Sequence, residues 1–406
     1  MQTPILDRLL AERELPNVLA NGWNEEIRQQ ALDFFTNHIY GKPPAEPTSM
    51  EFTELSENDY AFDDPQNSAD MRDWFANNTD KATFKRIRIT CNLSPIDYPG
   101  LKNLPESEHK FKFDVSCYLP KVAEKQKVPA IAAIDVRDTF DTKFLPTKDI
   151  IERGVAVFAF RYRHVCNDFP EADTLPGGAR VQFNDTGLDR LYYGKNLRDF
   201  GYDNRQPNDP GTIAFWSWGA SRVMDYIQTL DFIDLNKVAV SGHSRLGKTA
   251  LFTGAADKRF TYTFPNAACA GGTSLMRGGN TNVMREPFKK MPNTFPAWFC
   301  LNMQKFANTV PAEVDSHFLA AAIAPRKLFV SNAWNDEFVH PYDEFLALFA
   351  ASPIWEHSGV TGLITEDRLP IAGDKFFDGN IGYHLRAGNH PMETADWLAF
   401  LEFFTN

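Results

Sequence analysis

The sequence lacks the features that mark disulfide-bonded, membrane-spanning and metal-binding proteins. It has five cysteines in 406 residues, and this odd, widely spaced set contains no C-x-x-C pair. Mostly buried thiols in a reducing compartment are therefore expected rather than a disulfide framework. No apolar stretch reaches the length of a bilayer span. No group of histidines and cysteines has the spacing of metal ligands, so no metal is expected. The chemistry predicted from the motifs below requires no cofactor.

Long runs of one charge and a recognisable signal peptide are also missing. The formal net charge of −11 is spread without blocks of one sign, so nucleic acid and membrane are not expected as partners. Residues 1–14 contain neither a basic n-region nor a long apolar h-region. As written, the chain is expected in the cytoplasm, and it would be secreted or periplasmic if a leader had been removed. The oligomeric state stays open.

The order of apolar segments predicts one α/β domain over residues 1–406. Early strands alternate apolar and polar residues, whereas later ones are short, continuous apolar runs separated by helices, with no repeats or low-complexity linker. This order predicts a mixed, mostly parallel central sheet with helices on both faces. A helical and loop-rich N-terminal arm is expected over about 1–75, and a pocket-forming insertion over about 270–315. The predicted strands are 84–91, 111–119, 128–136, 155–162, 238–240, 260–266, 327–331 and 383–386, and the clearest helices are 216–230 and 393–404.

The most informative segment is a strand, a sharp turn and a helix around Ser244. The apolar strand 237–240 leads into Gly242-His-Ser-Arg, and a helix-forming run follows at once. Such a nucleophile elbow raises a serine hydroxyl above the sheet and directs the next backbone N–H towards an oxyanion. The usual pattern is G-x-S-x-G, but here the second glycine is Gly247, one residue late. The alternative is an ordinary Ser-Gly turn between a strand and a helix.

A serine nucleophile needs a histidine base, and five histidines follow Ser244. His384 falls inside the predicted last strand, where packing is its expected role. His390 lies in a loop between that strand and the last helix, where a base can reach the serine, so it is the predicted base. The alternative is a surface histidine beside a helix start. The remaining candidates are His317, His340 and His357.

The acid of a Ser–acid–His order is expected just after the strand 327–331. Asp336 stands at that offset, and its neighbour Glu337 could replace it. Either carboxylate could instead cap the helix that begins near residue 342. Asp343 and Glu344 come later and suit a solvated first helical turn.

Several ordered segments together resemble the glucuronoyl esterases, family fifteen of the carbohydrate esterases, and especially their bacterial members. The resemblance covers about half the chain, from residue 212 onwards, and the shifted serine motif 242–248 is its most specific part. It implies the three-layer sandwich of the α/β-hydrolase superfamily. The other segments that resemble the family are 215–222, 295–299, 315–319, 324–326 and 382–390.

The resemblance assigns roles to individual residues. Ser244 would be the nucleophile and His390 the general base. Arg245 would stabilise the oxyanion through its backbone N–H and its guanidinium, although a surface arginine paired with a carboxylate is the alternative. Lys248 lies one helical turn beyond Ser244 and would face the hydroxyls or the carboxyl-derived group of a sugar. Glu286 would match a sugar-binding glutamate of the family.

Some positions depart from the family pattern. Fungal members carry the acid where this chain has Ala267, so the acid role passes to Asp336. A tryptophan that commonly packs on the sugar is replaced by Phe338, which keeps an apolar face but lacks the indole N–H. Ala297 stands where bacterial members often have histidine, and the loop 134–138 differs from the usual asparagine-containing one.

The sequence therefore predicts a serine carbohydrate esterase that hydrolyses esters of (4-O-methyl-)glucuronic acid through an acyl-enzyme. Its partner would be a carbohydrate ester, either a glucuronate or an acetylated sugar. An acetyl(xylan) esterase or general carboxylesterase is the first alternative, and an inactive carbohydrate-binding relative the second. Tryptophans could offer stacking surface to a sugar, although Trp218 lies on the apolar side of its helix and is expected to be buried. Trp298 is the one predicted to bind the substrate, and the others considered are Trp216 and Trp334.

Overall fold

The computed structural model describes residues 4–56, 65–168, 187–278 and 286–405. Their centre is a ten-stranded sheet with the order β1-β2-β3-β5-β4-β6-β7-β8-β10-β9. The six neighbouring strands from β5 to β10 are mutually parallel, and the strands at both edges are antiparallel. The strands are β1 (Ser49–Glu54), β2 (Ala82–Asn92), β3 (Lys110–Pro120), β4 (Val128–Asp135), β5 (Ala156–Arg161), β6 (Ile233–His243), β7 (Tyr262–Asn266), β8 (Lys327–Ala333), β9 (Lys375–Phe376) and β10 (Ile381–Arg386).

Helices of very different length connect these strands. The α-helices are α1 (Ile5–Ala11), α2 (Glu25–Phe35), α3 (Pro65–Asn77), α4 (Thr147–Glu152), α5 (Tyr162–Val165), α6 (Leu188–Tyr193), α7 (Leu197–Phe200), α8 (Thr212–Ile227), α9 (Arg245–Ala256), α10 (Met291–Thr294), α11 (Ser316–Ala321), α12 (Pro341–Ala351), α13 (Pro353–His357) and α14 (Thr394–Thr405). A π-helical turn, Thr36–Tyr40, continues α2, and short 3-10 turns lie at Glu106–Glu108, Lys121–Glu124, Tyr202–Asn204, Phe288–Lys290 and Leu301–Phe306.

The helices form a layer on each face of the sheet. One layer contains α8, α9, α11 and α12, and the other contains α3, α4 and α14. Strand β4 explains why both faces are covered, since it is apolar on each of them. Ala132 and Ile134 belong to the core beneath α8. Ile131 and Ala133 belong to the core beneath α14. A strand that is apolar on both faces needs cover on both. The predicted mixed, mostly parallel sheet with helices on both faces is confirmed.

Most predicted elements form within a few residues of their predicted bounds, and two differ more. Strand β6 runs from Ile233 to His243, well beyond the apolar core 238–240 that predicted it. Helix α8 begins at Thr212 rather than 216 and ends at Ile227 rather than 230. The longer β6 carries the chain from the end of α8 to Ser244.

Among the described residues up to 75, one strand departs from the predicted helical and loop-rich arm. β1 pairs with β2 along its whole length and so extends the central sheet. Met50 and Phe52 alternate with exposed residues and pack on the core, and the ring of Phe52 lies 5.1 Å from that of Tyr226. This alternation is a strand signal that is too short to stand out from its polar neighbours.

Asp315 connects the end of the insertion expected over 270–315 to residues near its beginning. This fully buried carboxylate accepts the backbone N–H groups of Met276 at 2.6 Å and of Arg277 at 3.0 Å, and it also caps α11. The two ends of the segment are thereby joined. Its role as a pocket wall stays a prediction.

Within the described ranges, no helix has the length and apolar character needed to cross a bilayer. All five cysteines are buried and none forms a disulfide. They are Cys91, Cys117, Cys166, Cys269 and Cys300.

Candidate active site

Ser244 occupies a strained turn between the end of β6 and the start of α9. Its φ of 58° and ψ of −121° lie in a region that residues with a side chain rarely adopt. A Cβ on Gly242 would come within 2.3 Å of the carbonyl oxygen of Leu246, so only glycine allows the turn to fold this tightly. The N–H of Ser244 donates to the carbonyl of Asn266 at 2.9 Å, which fixes the turn against β7.

The late second glycine of the motif has a packing reason. A Cβ on Gly247 would lie 2.6 Å from the carbonyl oxygen of Asn266 and 3.2 Å from Cα of Ala268. The first turn of α9 therefore lies directly against the chain leaving β7. The usual position of that glycine is taken by Leu246, which is fully buried in the core.

The structure brings Ser244, His390 and Asp336 together although 146 residues separate the first two. Nε2 of His390 is 2.9 Å from Oγ of Ser244, and Nδ1 is 2.7 Å from Oδ2 of Asp336. With Nδ1–H donating to the carboxylate, Nε2 accepts from the serine hydroxyl, a tautomer assigned from these partners. This arrangement can take a proton from Ser244 and stabilise the resulting imidazolium.

The geometry separates Asp336 from its neighbour Glu337. Oδ1 of Asp336 accepts the N–H groups of Phe338 at 2.8 Å and Val339 at 3.1 Å, which leaves Oδ2 aimed at the histidine. Glu337 is exposed on the same turn. The side chain that meets His390 is thus that of Asp336.

The two loops that carry the acid and the histidine are joined through their backbones. The N–H of Trp334 donates to the carbonyl of Arg386 at 2.8 Å, and that of Asn335 donates to the carbonyl of Gly388 at 2.9 Å. Both loops follow neighbouring parallel strands, β8 and β10, whose carboxyl ends meet at one edge of the sheet.

The imidazole of His390 packs between two rings. Phe338 approaches it edge-on with ring centroids 4.9 Å apart, and His243 lies 4.8 Å away at 45°. Nδ1 of His243 is 2.6 Å from Oδ1 of Asn266. Burial, helped by the neighbouring His390, lowers the pKa of His243 to about 3, so this ring is a neutral support. Phe338 contacts the predicted base and keeps a half-buried apolar face beside it.

Arg245, the predicted oxyanion residue, begins α9 directly after Ser244. Its backbone N–H belongs to the first turn, where helical N–H groups lack intrahelical partners and the helix dipole favours negative charge. Its guanidinium Nε lies 2.9 Å from Oδ2 of the buried Asp168, and Nη2 donates to the hydroxyl of Tyr162 at 2.8 Å. The side chain keeps 22% of its surface exposed.

Trp298, which the sequence predicts to contact the substrate, is buried beside the candidate site. It is only 4% exposed, and Phe295 covers its ring in parallel at a centroid distance of 3.8 Å. The guanidinium carbon of Arg245 lies 5.8 Å and Nζ of Lys248 5.6 Å from the centre of its ring. The indole therefore supports the two cations next to Ser244. Trp216 and Trp218 are likewise buried, whereas Trp334 is exposed.

Lys248 and Glu286 approach the same region from different elements. Lys248 is fully buried, and its Nζ has no hydrogen-bond partner among the residues that the structure describes. Burial raises the pKa of the Cys269 thiol, with Lys248 lowering it and Glu286 raising it. Both charges thus lie within electrostatic range of Cys269. Ala267, where fungal members carry their acid, is buried against Val339.

The expectation that Asp343 and Glu344 lie in a solvated helical turn is wrong, because both are fully buried. Asp343 pairs with Arg13 at 3.3 Å. Glu344 accepts the N–H of Cys269 at 2.7 Å and the side-chain amide of Asn332. Tertiary partners override the helix-start preference, since a buried carboxylate must be paired or hydrogen-bonded.

Three residues around the site were missed by the sequence analysis, namely Tyr162, Asp168 and Asn266. Tyr162 and Asp168 follow β5, and Asn266 ends β7. Only their positions after predicted strands could have indicated these residues, because ligands and active sites of open α/β sheets lie beyond the carboxyl ends of the parallel strands.

Comparisons with known proteins find similarity to carbohydrate esterases. The family model described as fungal glucuronyl esterase matches residues 200–359. A carbohydrate esterase from an unknown prokaryotic organism is 29% identical over 95% of this chain and 85% of its own length. The 4-O-methyl-glucuronoyl methylesterase of Hypocrea jecorina is 35% identical, over 48% of this chain and 41% of its own length.

Solved structures are also similar to this chain over nearly its whole length. A glucuronoyl esterase from Solibacter usitatus has a TM-score of 0.72 and 26% identity, covering 96% of this chain and 97% of its own. An esterase of carbohydrate esterase family 15 from a marine bacterial metagenome, described as promiscuous, also has a TM-score of 0.72, with 25% identity and 96% of each chain covered.

Proposed function

Because this chain is a glucuronoyl esterase-like member of carbohydrate esterase family 15, in the α/β-hydrolase superfamily, we propose that it hydrolyses esters of (4-O-methyl-)glucuronic acid. It is a serine carbohydrate esterase. The observation that carries the proposal is the hydrogen-bonded series from Ser244 through His390 to Asp336, with distances of 2.9 and 2.7 Å. The names of the relatives supply the substrate class.

In the acylation step, Oγ of Ser244 attacks the ester carbonyl carbon while Nε2 of His390 takes the hydroxyl proton. The carbonyl oxygen becomes an oxyanion, which the backbone N–H and guanidinium of Arg245 stabilise. When this intermediate collapses, the bond to the alcohol oxygen breaks and His390 returns the proton to that oxygen. The alcohol leaves, and the uronic acid remains esterified to Ser244.

Deacylation repeats the sequence with water. His390 takes a proton from water, whose oxygen attacks the acyl carbon and releases the uronic acid as Ser244 regains its proton. The charge of Asp336 stabilises the imidazolium in both halves. No proton needs to move to Asp336.

Substrate recognition is proposed for Lys248, Glu286 and Phe338. The buried ammonium of Lys248, which has no hydrogen-bond partner among the described residues, suits an oxygen-rich sugar better than an acetyl group. Phe338 would offer an apolar face next to the base, and Glu286 would accept sugar hydroxyls. The cellular compartment stays a prediction from the sequence.

An acetyl ester specificity is the second candidate. It is favoured by Phe338 and Ala297, which lack the polar groups of the residues commonly found at these positions, and by the burial of Trp298. These differences remove possible contacts to a sugar, whereas Ser244, His390 and Asp336 are all present.

The test is hydrolysis of benzyl glucuronate and of an aryl acetate by the wild type and by Ser244→Ala. Benzyl glucuronate cleavage that is lost in the variant, with little acetate cleavage by the wild type, is the expected result. Strong acetate cleavage alone would transfer the assignment to an acetyl or general carboxylesterase. If neither ester reacted and a fluorophosphonate failed to label Ser244, the inactive carbohydrate-binding alternative would replace the proposal.

A further inference from the structure

A buried cluster behind Arg245 connects the end of β5 with the insertion. The Nε of Arg245 lies 2.9 Å from Oδ2 of Asp168, and the same oxygen accepts the indole N–H of Trp298 at 3.0 Å. Tyr162 accepts from Nη2 of Arg245, and its ring centre lies 5.2 Å from the guanidinium carbon. Nη2 is thus hydrogen-bonded to Tyr162, whereas Nε is in ionic contact with Asp168 without an aligned hydrogen bond, so two different residues hold the guanidinium.

The supporting groups are more deeply buried than the arginine they hold. The side chain of Asp168 is fully buried, whereas that of Arg245 is partly exposed. Trp298 is buried and held by its parallel contact with Phe295. Tyr162 is fully buried, and burial raises its pKa, so it remains a neutral phenol.

We propose that Asp168 is a positioning residue for Arg245, whose buried carboxylate aims the guanidinium at the oxyanion that forms on the ester carbonyl. The proposal rests on the function proposed above and deepens it. A free arginine side chain has considerable rotamer freedom. Donors stabilise a transition state most when they need no reorganisation as charge develops. Asp168 supplies that preorganisation without contacting the substrate.

A purely structural ion pair would behave differently. If the pair only stabilised the fold, loss of Asp168 would lower the unfolding free energy but leave kcat per folded site unchanged. Positioning of a group that acts on the transition state lowers kcat and changes KM little. A second distinction is coupling, because Asp168 can affect catalysis only while Arg245 is present.

The experiment measures kcat and KM for benzyl glucuronate in Asp168→Ala, Asp168→Asn, Arg245→Ala and the double alanine variant. Folded sites are counted by fluorophosphonate titration. Loss of Arg245 is expected to lower kcat by about 10²–10³-fold, the usual effect of removing one oxyanion donor. Asp168→Ala should lower kcat at least about tenfold with KM within about threefold, and the double variant should match Arg245→Ala.

Two variants serve as controls. Asp168→Asn keeps the shape and an acceptor but removes the charge, so an intermediate loss is expected, and it replaces the alanine variant if that one does not fold. Asp225→Asn removes a partly buried carboxylate of α8. This carboxylate pairs with Arg222 and with Arg259, at 2.5 Å in each case. The substitution should reduce stability and leave kcat unchanged.

Two results would overturn the proposal. One is an unchanged kcat per labelled site in both Asp168 variants. The other is a double variant whose loss equals the product of the two single losses. If the wild type failed to cleave benzyl glucuronate, the substrate assignment would fall. The positioning role would still be tested by the rate of fluorophosphonate labelling of Ser244, because phosphonylation also develops negative charge on oxygen. A lower labelling rate in Asp168→Ala supports the role and an equal rate overturns it.

Discussion

At the scale of single residues, the charge of Asp336 is the part of the site most open to a selective test. Asp336→Asn keeps the volume but offers an amide to Nδ1 of His390, which favours the wrong tautomer. We expect kcat for the preferred ester to fall about 10⁴-fold, the effect of the equivalent change in other serine triads. The matched variant Glu337→Gln changes an exposed side chain on the same turn. Its kcat should stay within about twofold, and a large loss there with a small one at Asp336 would reassign the acid.

Glu344 gives a prediction for the pH dependence of stability. Burial raises its pKa to about 7, hydrogen bonds from its neighbours lower it, and the charge of Asp336 raises it. The folded state therefore keeps a proton that the unfolded state releases near the ordinary glutamate pKa of 4.5. The contribution of Glu344 to the free energy of unfolding should fall as pH rises from about 4.5 to 7 and then level off, by on the order of 3 kcal/mol.

The measurement is denaturant unfolding of the wild type and Glu344→Gln at pH 5 and pH 8. Glutamine does not titrate, so the variant should gain stability relative to the wild type as pH rises. Glu12→Gln, on the exposed surface of the arm, controls for the substitution itself. A Glu344→Gln difference that is the same at both pH values would rule out this origin of the pH dependence.

The residues of the candidate site and its surroundings fall into two groups. Some have a local sequence pattern that indicates them, and others have none. Ser244 stands in a strand-turn-helix pattern, and Asp336 and His390 follow strand ends in a fixed chain order, so sequence reasoning could place them. Tyr162 and Asp168 belong to no motif, and only the packing of three separate segments brings them to Arg245. Glu344 had a misleading signal, because an acidic residue in a first helical turn is usually solvated.

At the scale of elements, the close contact between α9 and the end of β7 holds the serine turn in place. Gly247→Ala would put a Cβ 2.6 Å from the carbonyl oxygen of Asn266, the group that accepts the N–H of Ser244. The backbone of α9 or the backbone at the end of β7 must therefore move. We expect the variant to lose about 1–3 kcal/mol of stability and at least about tenfold in kcat, since small displacements of a reacting group are costly.

Gly359→Ala is the comparison for this prediction. A Cβ there meets no atom within 4 Å, and only its φ of +81° opposes the change, at roughly 1–2 kcal/mol. Denaturant unfolding and steady-state kinetics on both variants give the answer. Equal kcat values for the two would show that the α9–β7 contact does not hold the nucleophile.

At the scale of the whole molecule, alternation of strands and helices was enough to predict the sheet and its two covering layers. The segment before residue 75 was harder. β1 is short and half-exposed, so its edge pairing depends on the neighbouring β2 rather than on a strong pattern of its own. Long-range pairing of this kind has no local signal.

Arg28 of α2 is one of the buried side chains that connect the arm to the rest of the domain. Its Nε donates to the carbonyl of Ala322 at 2.8 Å, just after α11, and Nη2 donates to that of Ala255 near the end of α9. Carbonyls at helix ends need partners from outside the helix. Arg28→Ala would leave two buried acceptors unpaired, each at about 1–3 kcal/mol.

We therefore expect Arg28→Ala to lower the unfolding free energy by roughly 2–5 kcal/mol in a single cooperative transition. Its kcat at 25 °C should stay within about twofold, because the arginine contacts the C-terminal end of α9 rather than the turn at Ser244. Arg8→Ala, an exposed arginine on α1, should change neither quantity. Unfolding by fluorescence and by loss of activity should coincide. If the arm instead unfolded in a separate early transition while activity persisted, the expectation of one cooperative transition would be contradicted and the arm would be dispensable for activity.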